Sequence, residues 1–418
     1  MPKFIALRKV PRLQAMGMTA SVEERRSYLV KDSLVSERAK ALRALGLRQT
    51  RPEERILEAT PSFQRLGFIG AYIIDTPSPQ VAEQAREILE PAYQIVPDIP
   101  LALPQPVRSR SHLGRPRRRP YWPTESGIST AHQNGAIGQG VLVGVLDTGC
   151  DADHIELRDK RIEFRYIPLN PASTTVRACR GFDPDGHGTH VCGIIAGQNV
   201  GVAPAVELMV ASVIESETLK TSLERIIVAL DWMLSQFQRE ENLSKPILIN
   251  MSLGFRPEWI SGTEYQAAIQ GIRLIISTLV EDFDVLPVAA IGNDGPGIVR
   301  APGYFSEVLS VGAVDFYLRP ASFSGGGLSP LTGEPEPKIA GYGVNVVSSL
   351  ERNIERRSLY ARMSGTSMAA PYVVGIAALL ASANPGLQGH ALRQRLIEQA
   401  MPLTTPPNRV GAGLARFV

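Results

Sequence analysis

From Gly138 onward, short continuous apolar runs alternate with longer segments whose apolar residues recur at helical spacing. The runs are GVLVGVLDTG, VELMVASVI, PILINMSLG, VLPVAAIGN, VLSVGAVD and KIAGYG, most of them rich in valine and isoleucine. Between or after them lie SLERIIVALDWMLSQFQREEN, YQAAIQGIRLIISTLVED, SMAAPYVVGIAALLASA and GLQGHALRQRLIEQAM. Strands that are apolar on both faces must be covered on both faces. The alternation therefore predicts an α/β fold, a mostly parallel sheet with helices on either side. In such sheets reactive side chains gather at the carboxyl ends of the strands.

The first hundred or so residues have a different rhythm. Either KFIALRK or RSYLVKD supplies a first strand, and SERAKALRALG reads as a helix capped by Ser36 and stopped by Gly46. GFIGAYIID is strand-like, SPQVAEQAREILE is a helix with Ser78 as cap and Pro79 at its first position, and AYQIVPDIPL is a further strand. This order predicts a small α+β unit with two helices on one face of a mainly antiparallel sheet. QPVRSRSHLGRPRRRPY carries six arginines and no apolar periodicity, and reads as a linker or as a segment open to proteolysis. The expected division is 1–104, a basic linker over 105–121, and a second domain over 122–418.

Charge sharpens this division. Residues 1–120 hold 21 Lys+Arg against 12 Asp+Glu, and the remainder holds 23 against 29, so a basic front and an acidic back are set to attract each other. The front lacks the interleaved aromatic residues of a nucleic-acid surface, and no nucleic acid is expected as a partner. Three cysteines, Cys150, Cys179 and Cys192, are too few for a disulfide framework. The apolar patch near the start is too short for a signal-peptide core, and no membrane span is expected. The expected location is the cytoplasm for a full-length chain, or outside the cell if a signal peptide has been removed.

Four strand ends or helix starts carry candidate chemistry. Asp147 ends VLVGVLD, and His187 stands between two glycines in DPDGHGTHVCGIIAG. Asn293 ends VAAIGN, and Ser367 in RMSGTSMAAPY precedes an apolar helix. Each has a plain structural alternative: a turn carboxylate, a packed imidazole, a turn amide and an ordinary helix start. His187 and His190 share a helix face, but no third ligand or HExxH glutamate accompanies them, so no metal site is expected. Together the four offer an acid to orient an imidazole, an imidazole to take a hydroxyl proton, a serine nucleophile, and an amide for a developing oxyanion.

These motifs resemble those of the subtilisin-like serine proteases. VLDTG, GHGTHV, AAIGNDG and SGTSMAAP are similar to that family's four motifs in its order, with GVAPAVEL, INMSLG, VLSVGAVD and ASFSGGG between them; the resemblance covers about residues 122–400. It implies a triad of Asp147, His187 and Ser367, an oxyanion hole from Asn293 and the Ser367 N–H, and an acyl-enzyme route to peptide hydrolysis. It further implies that Ser252, Leu253 and Gly254 pair with the backbone of protein or peptide substrates. The front unit resembles the family's ferredoxin-like propeptides, which implies a self-inhibited zymogen whose tail, about Pro100 to Arg119, lies in the groove. A catalytically silent partner-binding scaffold and a dedicated processing protease are the alternatives.

Four departures stand out, the first being a short segment between Asn293 and Tyr304, which is expected to open the pocket for the residue before the cut. The AGQNVGVAP loop is shorter than in calcium-stabilised relatives, so no cofactor is required and calcium is only a possibility, even with Asp151, Asp153 and Glu156 close by. Cys192 follows His187 by five residues and reads as a small buried hydrophobe before a redox switch. Tyr372 stands where many relatives have histidine, a change expected to alter local packing only.

Overall fold

The alternation within KFIALR sets how the front unit is built. In the computed structural model, which describes all residues except 1–2, 17–20, 33–35, 51–60, 99, 102–106, 114–120, 169–179, 216–220 and 255–261, this segment is strand β1 (Lys3–Arg8). RSYLVKD belongs instead to a helix. After β1 come α1 (Arg12–Met16), α2 (Val22–Asp32), α3 (Glu37–Ala44), β2 (Arg48–Thr50), β3 (Ser62–Leu66) and β4 (Ala71–Asp75). Then follow α4 (Pro79–Leu89), β5 (Tyr93–Val96), β6 (Pro100–Leu101) and β7 (Val107–Leu113). The five-stranded sheet has the order β2-β3-β4-β1-β5 and is antiparallel except for the β2–β3 pair. Ser36 and Ser78 cap α3 and α4 by accepting the amides of Ala39 and Val81.

Both faces of this sheet are buried. Phe4 and Ala6 point to one side, where Leu42 of α3 and Ala82, Ala85 and Leu89 of α4 cover them. Ile5 and Leu7 point to the other, which packs on the second domain. Period-two alternation of apolar side chains on both faces requires two separate covers.

The second domain begins with α5 (Ile128–Gln133), β8 (Leu142–Asp147), β9 (Ile162–Tyr166), α6 (His187–Ala196), β10 (Glu207–Ser212) and β11 (Thr221–Ser222). It continues with α7 (Leu223–Phe237), β12 (Ile247–Met251), α8 (Gly262–Phe283), β13 (Val285–Ala290), β14 (Leu309–Val314), β15 (Gly327–Leu328) and β16 (Pro335–Glu336). Last come β17 (Ile339–Tyr342), β18 (Val346–Leu350), β19 (Leu359–Ser364), α9 (Thr366–Ala383), α10 (Gly389–Gln399) and α11 (Pro407–Val410). The seven-stranded sheet has the order β17-β14-β13-β12-β8-β10-β9, and every pair in it is parallel. Its faces are covered by α6 and α9 on one side and by α7 and α8 on the other, as the apolar runs require. β9 is an edge strand that the apolar pattern did not reveal.

α9 is long and apolar enough to cross a bilayer, against the expectation that no such segment exists, but 89% of it is buried inside the domain. Its Tyr372 packs against Trp122 and Tyr342 with ring centres 5.0 and 5.2 Å away, and its hydroxyl donates to the Ala415 carbonyl at 2.8 Å. The tyrosine thus ties α9 to the C-terminal segment. Within the range read as a linker, β7 forms a strand that pairs with β19, whereas 114–120 lie outside the described residues.

Charge and hydrogen bonds fasten the front unit to α7 and α8. Lys3 pairs with Glu224, and Asp282 accepts the amides of Arg12 and Leu13 at 3.0 and 2.9 Å. Arg26, fully buried, donates to the Phe283 carbonyl at the end of α8 and to the carbonyls of Leu243 and Lys245 before β12, at 2.8 to 3.0 Å. Burial lowers its pKa to about 10, so it remains a cation at neutral pH.

Asp231 of α7 lies beneath the turn between β3 and β4, where its Oδ1 accepts the amides of Phe68 and Ile69 at 2.8 and 2.9 Å. Desolvation raises its pKa to about 6, opposed by those two amides and by Arg12 and Arg65. A carboxyl whose pKa rises on docking holds its proton more tightly when docked. Its share of the attachment is therefore complete below the usual carboxylate range and is lost as pH climbs through about 6. In the Ser367→Ala chain, denaturant unfolding of the front unit should cost about 2 kcal/mol more near pH 4 than near pH 8 through this group. Asp231→Asn keeps the accepting oxygen, so it should flatten that dependence; an unchanged slope would exclude Asp231 as its source.

Candidate active site

Parallel pairing brings the carboxyl ends of β8, β12 and β13 to one edge of the sheet. Asp147 is the last residue of β8 and is fully buried. Its Oδ1 accepts the Thr148 amide at 2.7 Å and faces His187 Nδ1 at 2.7 Å. A carboxylate only accepts, so Nδ1 carries the proton and Nε2 is left as the basic nitrogen of the neutral ring.

His187 opens α6, and the contact between that helix and the β8 turn leaves no room for a side chain. A Cβ on Gly188 would lie 2.1 Å from the Gly149 carbonyl oxygen. The Gly188 amide donates to Thr148 Oγ1 at 2.9 Å, and the Asp151 amide to Thr189 Oγ1 at 2.9 Å. Asp183 steadies the same helix mouth. Its carboxylate accepts the amides of Asp185, Gly186 and Thr189 and the Thr189 hydroxyl, at 2.7 to 3.1 Å.

Ser367 is the second residue of α9, and its Oγ is buried with no hydrogen-bond partner among the described residues. Pro371 lies inside this helix, four residues on, and has no N–H to give the Ser367 carbonyl. The Ser252 hydroxyl donates to that carbonyl instead, at 3.3 Å. Ser252 is in turn reached by Asn250 Nδ2 at 3.0 Å. Thus a residue expected to touch substrate also repairs the backbone of the serine helix.

Asn293 follows β13 and is brought to the same helix start. Its Oδ1 accepts both the amide and the hydroxyl of Thr366, each at 2.9 Å. With the carbonyl end held there, the NH2 end of the amide faces away from Thr366. Leu253 and Gly254 follow β12 at the same sheet edge and are buried. All seven candidate positions therefore lie at strand ends or at helix starts around one edge.

The remaining candidates fall elsewhere. His190 Nε2 lies 3.2 Å from the carbonyls of Val346 and Ala361 and donates to them, a packing role. Asp151 and Asp153 are paired with Arg352, and Glu156 accepts from Asn199 Nδ2 at 2.9 Å and from the Tyr360 hydroxyl at 2.7 Å. Among the described residues, no group of three or more His, Cys, Asp or Glu is placed to hold a metal. Cys150 and Cys192 are free and buried; the adjacent Cys150 side chain and burial hold the Cys192 thiol well above its usual range. That disfavours the reactive thiolate. Cys179 lies outside the described residues.

Thr366, Thr148 and Asp183 have positioning contacts that the sequence reading did not assign. Thr366 was visible within SGTS, but its bond to Asn293 spans 73 residues.

A parallel sheet with an acid, an imidazole, a buried serine and a held amide gathered at its strand ends is the arrangement expected of a serine hydrolase of the α/β class. The chain belongs to the subtilase family, which it matches over residues 138–413. It is 45% identical over 370 residues to the subtilisin-like protease PopC of Myxococcus xanthus (strain DK1622), covering 85% of this chain and 77% of PopC. Subtilisin Savinase of Lederbergia lenta is 33% identical over 291 residues, covering 68% of this chain and 91% of Savinase. The solved structure of the prenylagaramide maturation protease PagA is similar with a TM-score of 0.52 at 25% identity, covering 69% of this chain and 95% of PagA. The protein is a subtilisin-like serine protease.

Replacing Gly188 by alanine should push the His187 helix away from the Asp147 turn. The expected loss is about 2 kcal/mol or more of stability, from overpacking at a backbone contact. Thermal unfolding of the variant, paired with labelling by a serine-directed fluorophosphonate, checks this. Wild-type stability together with full labelling would show that the contact gives way freely.

Proposed function

We propose that this protease cleaves internal peptide bonds with Ser367 as nucleophile, His187 as general base and then general acid, and Asp147 as the group that orients the imidazole. The observation carrying the assignment is the buried 2.7 Å contact from Asp147 Oδ1 to His187 Nδ1 at the end of β8, next to the strand end from which Ser252 bonds the Ser367 carbonyl. With Nδ1–H committed to Asp147, Nε2 accepts the Ser367 proton as Oγ attacks the scissile carbonyl. Negative charge then grows on the carbonyl oxygen. The Asn293 amide and the Ser367 N–H, the latter in a first turn where backbone donors lack intrahelical acceptors, stabilise it. His187 next protonates the leaving amine, and water releases the acyl group by the reverse sequence. Ser252, Leu253 and Gly254 supply the edge along which the substrate backbone pairs.

The front unit acts as an inhibitory propeptide in this reading. Its β6 pairs antiparallel with β11, and β7 pairs antiparallel with β19, which ends three residues before Ser367. The chain is thus anchored at β11 and again at β19, with 102–106 between the two anchors in sequence. Cleavage should fall in that connection. As a second reading, the likeness to PagA favours processing of one dedicated precursor by the same chemistry.

Purified wild type and Ser367→Ala, followed by intact mass and fluorophosphonate labelling, test the assignment. Only wild type should label and release a front fragment of about 100 residues, because loss of such a nucleophile costs about a million-fold in rate. If both chains stay intact and unlabelled, or both behave alike, the assignment fails.

No cofactor enters the proposed chemistry. With Asp151, Asp153 and Glu156 engaged by Arg352, Asn199 and Tyr360, EDTA should change neither peptide hydrolysis nor the melting temperature. A clear fall in either on chelation, restored by calcium, would show that these partners yield to a metal.

A further inference from the structure

Asn293 is followed by Asp294, and Arg300 folds back onto that carboxylate. Arg300 Nε donates to Asp294 Oδ2 at 2.5 Å and Nη2 donates to Oδ1 at 2.6 Å, a bidentate pair. The side chains are 12% and 29% exposed, so the pair is partly shielded from water. The Arg300 amide also donates to the Ile291 carbonyl at 3.0 Å, which fixes its backbone beside the segment that carries Asn293.

The stem of Arg300 occupies the space between two segments of the site. A Cβ placed on Gly254 would lie 3.6 Å from Arg300 Cβ and 3.7 Å from Cδ. One placed on Gly292 would lie 3.1 Å from Arg300 Cγ and 3.4 Å from Cδ. Cβ and Cδ thus face the Ser252–Gly254 edge, Cγ and Cδ face the segment that leads to Asn293, and the stem lies between the two. If the reading in the preceding subsection holds, a substrate runs along the first segment with its scissile carbonyl at Asn293. The side chain belonging to that carbonyl then enters between the two segments, where the arginine stem lies.

We propose that the Arg300–Asp294 pair is the floor of the pocket for the residue before the cleaved bond, and that it selects substrates with a small uncharged side chain there. A large aromatic ring needs the volume of the stem. Moving the stem aside means breaking two charge-assisted hydrogen bonds in a partly shielded place. Charged side chains gain little, because the guanidinium and carboxylate cancel each other and either newcomer leaves one partner uncompensated. Asp294 acts through Arg300: it holds the stem across the pocket.

The test uses full-length protein after its own maturation, with active sites counted by fluorophosphonate, and peptides differing only in alanine, phenylalanine or glutamate before the cleaved bond. Wild type should favour alanine over phenylalanine by about tenfold or more in kcat/KM. Arg300→Ala should move the phenylalanine-to-alanine ratio toward phenylalanine by about tenfold or more, and Asp294→Asn should raise the glutamate-to-alanine ratio. Arg300→Met keeps most of the stem but loses the two bonds that hold it, so it should move the phenylalanine-to-alanine ratio in the same direction as Arg300→Ala but by less, and the selection stays testable if Arg300→Ala folds poorly. A wild type that favours phenylalanine, or an Arg300→Ala protein that labels fully with an unchanged ratio, overturns the floor assignment and leaves Ser367 in place. A wild type that neither labels nor cleaves any peptide overturns the Ser367 reading and this one together.

Discussion

The contact on which the rest of the molecule depends is the one between Asp147 and His187. Two polar side chains with no exposure meet at 2.7 Å, one at the end of a strand and the other at the start of a helix 40 residues on. A buried carboxylate without its partner would be costly, so both elements must arrive together. Much of the local architecture serves that meeting: the bare backbone contact of Gly149 with Gly188, the Thr148 and Thr189 hydroxyls that cross it, and the four donors gathered by Asp183. The parallel sheet then adds Asn293 from the end of β13 at the same edge, and α9 presents Ser367 beside it.

The helix that bears Ser367 shows how one compromise creates another residue's role. Pro371 sits where its missing N–H deprives the Ser367 carbonyl of the usual helical bond. A buried carbonyl left so would cost on the order of 1–3 kcal/mol. Ser252, which follows β12, answers it and so ties the proposed substrate edge to the serine helix through a single hydroxyl. Small changes in one are therefore felt by the other. Thr366 makes a similar link from the same helix to Asn293.

What the sequence disclosed follows from how each element is stabilised. Six strands of the large sheet were legible because both of their faces are buried, which forces continuous apolar runs. β9 was not, since IEFRY is an edge strand that alternates charge with apolar residues and stays only half-buried. β6, β7 and β11 are held by backbone pairing across long separations, and a backbone bond leaves no mark on residue type. RSYLVKD suited a strand by composition but lies in α2, which docks through Arg26 and not through a broad apolar stripe. The residues with chemistry stood out because their neighbours are glycines, threonines and small side chains in a fixed order. Thr366 and Asp183 were hidden as positioning groups, since nothing in their local sequence tells which distant atom they will meet.

The short AGQNVGVAP loop brings out a last point about charge. Glu156 is buried, and its two oxygens are met by Asn199, through both amide groups, and by the Tyr360 hydroxyl. Asp151 lies nearby and is answered by the Arg352 side chain and amide. Neutral donors suffice for a buried carboxylate when enough of them converge, and a guanidinium suffices when one fork matches one carboxylate. The loop can be short because Asn199 reaches Glu156 with its own backbone as well as its side chain, so the connection and the counter-group are the same residue. Arg352 and Tyr360 complete the set from β19 and the segment before it, so the carboxylates that follow Asp147 in the chain are answered by groups 201 and 204 residues further on.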